Sequence, residues 1–215
     1  MVVGVDGALP VYRQRVLTPR WLLVAGLLIA SCGRGGEAAA PPAAGTALGV
    51  RDSVLPREVE LKRFRATEGR VTELTDGALT RDALVLGFIN TVEEGNPAAA
   101  QRLAMSRAEF GWLYYPSNPF GRPPYDLSPE LFWFTMDSNG RKGHDRVLRR
   151  FGGRPLGYRD YHCPAAPVVE GENRIHAPCE VTFNDRGALV TARLFGPIIE
   201  RDGRFKFVNL AAKVD

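Results

Sequence analysis

The stretch FGWLYYPSNPFGRPPYDLSPELFWF, residues 110–134, decides how this chain folds. It contains nine of the chain's twenty aromatic residues: Phe110, Trp112, Tyr114, Tyr115, Phe120, Tyr125, Phe132, Trp133 and Phe134. Aromatic side chains bury large apolar areas, so a block this dense either fills the core or walls a pocket. The core interpretation is favoured because no convergent polar groups accompany the block. If it instead walls a pocket for an apolar small ligand, the expected lining residues are Trp112, Tyr114, Tyr115, Phe132, Trp133, Asp160 and His162.

Helix-start signals precede the aromatic block. Thr80 is an N-cap candidate, and apolar residues at helical spacing predict a helix from there to Glu94. Asn96-Pro97 is a typical helix start and predicts a second helix to about Met105. The sequence Ser-Arg-Ala-Glu at 106–109 is a capping box, which predicts a short third helix.

The block itself is interrupted by a loop and ends in a long helix. Four prolines within residues 116–127 remove backbone donors, which predicts an ordered loop. Ser128-Pro129 then predicts the start of a helix that continues to Gly152. Gly140 and Gly143 lie inside this helix and predict a kink or a close helix contact there.

The residues after Pro155 predict β-structure. Short β-prone runs occupy residues 158–163, 175–183, 188–195 and 205–212, and turn sequences separate the later ones. Ile198 and Ile199 are expected to continue the third run past a bulge. This pattern predicts an antiparallel meander. Helices followed by a meander predict an α+β fold with helices packed on one face of a curved antiparallel sheet.

The order of elements resembles the nuclear transport factor 2-like fold, also called SnoaL-like. The resemblance rests on that order and on phrases such as Asp82–Phe88 followed by Glu93–Asn96. It implies a helical hairpin and a cone-shaped roll around a pocket, over residues from about 80 to 215. The family usually has a strand pair between its second and third helices, whereas this chain has the proline-rich loop.

The amino terminus has the features of a signal peptide. Three arginines precede the apolar run Trp21 to Ala30, which ends at Ser31-Cys32. Ten apolar residues are too few to cross a bilayer, which takes roughly 20. An ordinary secretory signal with a chance cysteine is one interpretation.

The segment Leu28-Ile29-Ala30-Ser31-Cys32 also resembles a bacterial lipoprotein lipobox. The resemblance implies removal of residues 1–31 and acylation of Cys32 with fatty acids such as palmitate, and hence a membrane partner in the cell envelope. Two or more acyl chains anchor a protein stably. Gly33-Arg34 lacks the aspartate that retains some lipoproteins in the inner membrane, which favours a periplasm-facing position at the outer membrane. The Gly-, Ala- and Pro-rich residues 32–54 are expected to form a flexible tether, and residues 55–215 a single globular domain.

Two cysteines, Cys163 and Cys179, are left when Cys32 is acylated. In an oxidising envelope they are expected to form a disulfide. A zinc site with His162 and His176 is the alternative, but the cysteines lack doublet spacing, and no metal or other cofactor is expected.

Composition excludes some classes of partner. The chain carries a net charge of +4, and removal of three arginines and Asp6 with the signal peptide lowers it to +2. No basic tract interleaved with exposed aromatic residues suggests nucleic acid.

Two functional hypotheses are compatible with these sequence features. The first is a non-catalytic envelope lipoprotein that binds a ligand or a protein partner. The second, which the fold resemblance implies, is a small-molecule isomerase, dehydratase or hydrolase with an Asp, His or Tyr in its cone. Candidates for that role are Tyr114, Tyr115, Asp137, His144, Tyr158, Asp160 and His162. Only Asp160 and His162 have a suggestive spacing, since alternate residues of a strand share one face.

Overall fold

The computed structural model describes residues 55–214 and shows an α+β fold, as the sequence predicts. Within these residues, five α-helices precede seven strands. The helices are α1 (Arg57–Ala66), α2 (Arg81–Glu93), α3 (Pro97–Leu103), α4 (Arg107–Glu109) and α5 (Pro129–Phe151). The strands are β1 (Tyr158–His162), β2 (Val168–Glu170), β3 (Asn173–His176), β4 (Glu180–Asp185), β5 (Ala188–Ala192), β6 (Ile198–Arg201) and β7 (Arg204–Phe207). The predicted signal peptide, the acylated Cys32 and the tether lie outside the described residues.

Local capping signals place the helix starts where the sequence predicts them. The Thr80 hydroxyl accepts a hydrogen bond from the Ala83 amide at 3.0 Å, and the Asn96 side chain accepts one from Ala99 at 3.0 Å. The capping box of α4 is formed in both directions between Ser106 and Glu109. These bonds satisfy amides that have no partner inside the helix.

The helix α4 continues as a π-helical turn, Phe110–Tyr114, closed by a bond from the Tyr115 amide to the Phe110 carbonyl at 2.8 Å. A 3₁₀ turn, Pro119–Gly121, lies in the proline-rich loop, which therefore has ordered structure. Ser128 caps α5 at the predicted position.

The strands form two antiparallel sheets, and this finding corrects the predicted single meander. One sheet has the order β1-β4-β5 and the other β2-β3-β6-β7, and neither is closed or strongly curled. The predicted run 175–183 is two strands in different sheets, divided at Ala177-Pro178. Likewise Ile198 and Ile199 belong to β6 and do not extend β5, because the chain changes sheet at Gly196-Pro197. Proline has no amide hydrogen and interrupts a strand ladder at both places.

Two hydrophobic clusters hold these elements together. The first lies between α2, α5 and strands of both sheets, with Phe88, Val147, Phe183 and Phe207 fully buried. The second is centred on Phe110 of the aromatic block. The ring centroids of Phe64, Tyr114, Tyr115, Phe132 and Trp133 lie 5.3–6.0 Å from that of Phe110.

The two glycines of α5 mark a close approach of the carboxy-terminal segment, and α5 is a continuous helix. A Cβ atom on Gly143 would lie 2.4 Å from the Ala212 nitrogen, and one on Gly140 would lie 3.2 Å from the Leu210 nitrogen. The predicted close contact is therefore present, but its partner is the segment after β7, which has no regular secondary structure, and not a helix.

The two cysteines are bonded to each other. The disulfide Cys163–Cys179 joins the residue after β1 to the residue before β4, sixteen positions apart. Within residues 55–214, no helix is long and apolar enough to cross a membrane, and no cluster of three or more metal-ligating side chains occurs.

Candidate functional site

The residues expected to line a pocket are divided between the second hydrophobic cluster and strand β1. Tyr114 and Tyr115 are buried in the second hydrophobic cluster, and the half-buried Phe132 packs against it. Trp133 is also half-buried and lines a surface groove. Trp112 also packs against the second cluster, whereas Asp160 and His162 lie on β1.

Trp112 packs between cationic side chains. The Arg65 guanidinium lies 4.2 Å from the ring centroid and that of Arg70 lies 5.6 Å from it. Together with Leu61 and Lys62 of α1, Trp112 lines a shallow, mainly apolar depression of about 400 Å³. The indole nitrogen is buried without a hydrogen-bond partner in the described part of the chain.

Asp160 and His162 are both exposed on β1, an edge strand of the three-stranded sheet. No hydrogen bond joins their side chains within the described residues. Neither residue lines the groove beside Trp133. The structure therefore does not bring this pair to the aromatic block.

The other candidates for proton transfer are also dispersed. His144 is buried against Phe88, with ring centroids 5.9 Å apart, and its Nε2 atom has no partner among the described residues. Burial lowers the pKa of His144, whereas the neighbouring Asp145 acts to raise it. Burial raises the pKa of Tyr158. The Asp137 carboxylate accepts a hydrogen bond from Arg141 at 2.8 Å.

A groove of about 730 Å³ lies beside Trp133. It is formed by the α3–α4 junction, the first half of α5 and one side chain of β7. Its apolar part includes Met105 and Trp133, and its charged residues are Asp76, Arg102, Arg107, Asp137, Arg141 and Lys206. A site with an apolar part and a few polar groups is what small-ligand pockets generally present.

Lys206 and Glu109 form a buried ion pair at the base of this groove. The Lys206 ammonium lies 3.1 and 3.0 Å from the two Glu109 carboxylate oxygens and donates to the Thr75 carbonyl at 3.0 Å. The same carboxylate accepts from the amides of Thr75 and Ser106, each at 2.6 Å. A buried charge requires such partners, so both groups are held in structural bonds.

The arginines of the groove differ in what they bind. Arg107 contacts Glu130 at 2.7 Å and Glu68 at 3.0 Å, and the hydrogen bond with Glu130 is the main cause that raises its pKa. Arg141 is paired with Asp137. Arg102 is exposed and has no ion-pair partner among the described residues. Arg102 is therefore the groove cation that is available to a ligand.

A second polar network, which the sequence did not suggest, surrounds His176. Its Nε2 atom lies 2.8 Å from Glu200, and its Nδ1 atom lies 3.3 Å from an Arg81 nitrogen. Because Arg81 can only donate, Nδ1 accepts and Nε2 donates to the carboxylate. Both ring nitrogens are thus occupied, and this histidine has no free atom for proton transfer to a substrate.

The groove residues Arg102, Met105 and Lys206 were not predicted from the sequence. One signal was present, since alternation along residues 205–210 puts Lys206 on the same strand face as Val208 and Leu210. A lysine on an apolar strand face predicts a buried partner. No comparable pattern marks Arg102 or Met105.

Comparisons with protein families, with curated proteins and with solved structures find no match to this chain. Its function is therefore inferred from the geometry of the groove and from the amino-terminal sequence.

Proposed function

We propose that this protein is a lipid-anchored envelope protein that binds an amphipathic, anionic small ligand in the groove beside Trp133. The observation that carries this proposal is the combination of the half-buried Trp133 indole, beneath which Met105 is buried at the groove wall, with Arg102, which has no ion-pair partner in the described domain. A ligand with a flat apolar body can lie on the indole while its anionic group pairs with the guanidinium.

Binding without catalysis is favoured by the state of the charged groups. Glu109 beneath the groove is held by Lys206 and two backbone amides, and Asp137 on its wall is held by Arg141. A general base has to be free to accept a proton at the substrate. These two carboxylates are occupied, which supports a binding role over an isomerase, dehydratase or hydrolase. The third groove carboxylate, Asp76, is exposed and has no side-chain hydrogen bond or ion pair within residues 55–214, so the preference for binding rests on Glu109 and Asp137.

The anchoring part of the proposal is supported by the sequence Leu28–Cys32, and the orientation of the domain toward the periplasm follows from it. The disulfide Cys163–Cys179 fits this location, because disulfides persist in oxidising compartments. Retention at the outer membrane is part of the same proposal.

A relationship to nuclear transport factor 2-like domains is proposed on the order of elements alone, helices first and antiparallel strands last. In that interpretation the two sheets correspond to two parts of the family's curved sheet around its cone. The expected outcome is that the seven strands superpose on the family's strands in the same chain order. A different strand order would contradict it.

The anchor is tested by Cys32→Ala. We expect the natural protein to be acylated at its amino terminus and to remain in the membrane fraction, and the variant to lose both properties. Mass spectrometry of the amino-terminal peptide measures the first and fractionation the second. An acylated Cys32→Ala protein, or a natural protein with a free amino terminus at another residue, would contradict the anchor.

The groove is tested with 1-naphthalenesulfonate, a flat anion, titrated calorimetrically into protein held in phosphatidylcholine nanodiscs. Trp133→Ala and Arg102→Ala are each expected to weaken binding about tenfold, equivalent to about 1.4 kcal/mol. Empty nanodiscs give the background. Trp112→Ala and Arg159→Ala are the matched controls, because they remove the same residue types outside the groove. Equal affinity of the natural protein and all four variants for 1-naphthalenesulfonate would overturn the proposed binding site.

A further inference from the structure

Exposed apolar side chains are concentrated at the proline-rich loop and the start of α5. Four residues form what is called the loop surface below: Phe120 (44% exposed), Tyr125 (58%), Leu131 (53%) and Phe134 (66%). They are four of the ten large hydrophobic residues that are exposed within residues 55–214. The Phe120 and Tyr125 rings are in contact, and Leu131 and Phe134 share one face of the adjoining first turns of α5 by their spacing. Neighbouring exposed apolar residues mark interaction sites, whereas scattered single residues do not.

The loop that carries this surface is rigidly held. The Phe120 and Tyr125 rings pack 5.0 Å apart, and the Phe120 ring lies 5.7 Å from that of Phe132. The buried Tyr115 hydroxyl donates to the Leu127 carbonyl at 2.7 Å, and the Leu127 amide donates to the Phe120 carbonyl at 2.9 Å. The aromatic side chains are therefore presented in place, so binding costs little conformational entropy.

The chain enters the described domain at the base of the same loop. Arg57, two residues after the first described residue, donates to the carbonyls of Tyr115 and Pro116 at 3.3 and 3.1 Å. Arg122 donates to the same Pro116 carbonyl at 2.9 Å. Cys32 precedes Leu55 by only 23 positions. The tether that the sequence predicts for this stretch would have an end-to-end distance of about 26 Å, which would keep this end of the domain close to an anchored bilayer.

We propose that the loop surface inserts into the headgroup region of the bilayer that holds the acylated Cys32. This inference rests on the proposed lipid anchor. Aromatic side chains with one polar end are enriched at membrane interfaces, and Tyr125 supplies such an end. Arg122 is offset by Asp126 on the same loop, so the attraction is mainly apolar and depends little on salt.

A competing surface on the same domain makes the proposal testable. Residues 138–159 contain seven basic residues and a single acidic one, Asp145. Lys142, Arg146 and Arg149 are exposed on α5 and share one helix face by their spacing. Docking through this basic face would require anionic lipid and would weaken as salt rises.

The experiment uses the acylated protein in nanodiscs that hold one copy each. Phe120→Trp places a reporter on the loop surface, and Leu189→Trp places one on β5 at a residue that is 69% exposed. The nanodiscs contain phosphatidylethanolamine and phosphatidylglycerol, with or without brominated acyl chains that quench nearby indoles. The natural protein gives the background from Trp112 and Trp133, and mass spectrometry establishes that each variant is acylated.

We expect bromolipid quenching to increase several-fold for Phe120→Trp relative to Leu189→Trp and to persist at high salt. Hydrogen exchange of residues 119–127 should be slowed by the bilayer in the natural protein and not in Phe120→Ser/Tyr125→Ser. Equal quenching of the two reporters in acylated protein would overturn the docking surface while leaving the anchor intact. Quenching that disappears with salt or in Lys142→Glu/Arg149→Glu would assign docking to α5. Loop protection that requires two copies per nanodisc would assign the surface to a protein dimer, and either result overturns the proposal.

Discussion

Lys206 is the residue that links the groove to the stability of the domain. Its ammonium is almost fully enclosed, and its partner Glu109 is completely buried. Glu109 also caps α4 and holds the Thr75 amide, so one carboxylate joins β7, α4 and the segment before α2. Removing one member of such a pair leaves an unpaired buried charge.

We therefore expect Lys206→Met to destabilise the domain by about 3–5 kcal/mol. Glu109→Gln should also destabilise it, because the Thr75 and Ser106 amides donate to different carboxylate oxygens and one of these becomes an NH2 donor in glutamine. The double variant should lose less than the sum of the two single losses, because the residues interact directly. Urea unfolding of the four proteins measures this coupling, with the exposed Lys213→Met as control. Additive losses would show that the pair does not act as a unit.

Among the helices, α5 is distinguished by two interior glycines that allow another segment of the chain to pack directly against its backbone. Gly140 and Gly143 face the segment Asn209–Ala212, which crosses the helix too closely for a Cβ atom at position 143. The Arg146 side chain donates to the Ala212 carbonyl at 3.1 Å and fixes the same segment one turn later. A helix with glycine in its interior is tolerated here because of this backbone contact.

Gly143→Ala should consequently destabilise the domain by about 1–3 kcal/mol, the usual range for overpacking. Gly87→Ala is the matched control, since Gly87 is inside α2 and its Cβ would have Leu103 at an ordinary 3.7 Å. That control should stabilise by up to about 1 kcal/mol through helix propensity. Thermal or urea unfolding distinguishes the two. A stabilised Gly143→Ala protein would show that the carboxy-terminal segment does not lie against α5.

For the whole molecule, the important feature is how the chain divides its strands between two sheets. The hairpin of β2 and β3 belongs to the four-stranded sheet, while β1 and β4 on either side of it belong to the three-stranded sheet. The disulfide Cys163–Cys179 closes the chain at the two ends of that excursion. The disulfide therefore keeps the two ends of the β2–β3 excursion together when the domain unfolds.

Loss of this disulfide should destabilise the domain by about 3 kcal/mol, because the unfolded chain gains conformational entropy when the cross-link is absent. Cys163→Ala/Cys179→Ala compared with the natural protein, in urea with and without reductant, measures the effect. Reductant should lower the stability of the natural protein and leave the variant unchanged. Two reactive thiols in natural protein that is denatured without reductant would contradict the bond.

Much of the local structure could be predicted from sequence. The caps Thr80, Asn96, Ser106 and Ser128 start helices at the expected residues, because a cap bond involves atoms only two or three residues apart. The core interpretation of the aromatic block holds for Phe110, Tyr114 and Tyr115, which are buried, whereas Phe120, Tyr125 and Phe134 of the same block are exposed. The pairing of Cys163 with Cys179 was predicted because these two of the three cysteines are left when Cys32 is acylated in a predicted oxidising location, and the disulfide is present.

Tertiary structure alone decided which strands share a sheet and where the groove lies. Pro178 and Pro197 interrupt two strand regions that are continuous in the sequence pattern. A proline predicts that a strand ends, but it does not predict which sheet the next strand joins. That choice depends on partners far away in sequence, as in the pairing of β3 with β6. The groove depends on Glu109 and Lys206, which are 97 positions apart, and on Trp133, which lines it from α5. Sequence patterns report neighbours along the chain, whereas these contacts are set by the packing of the whole domain.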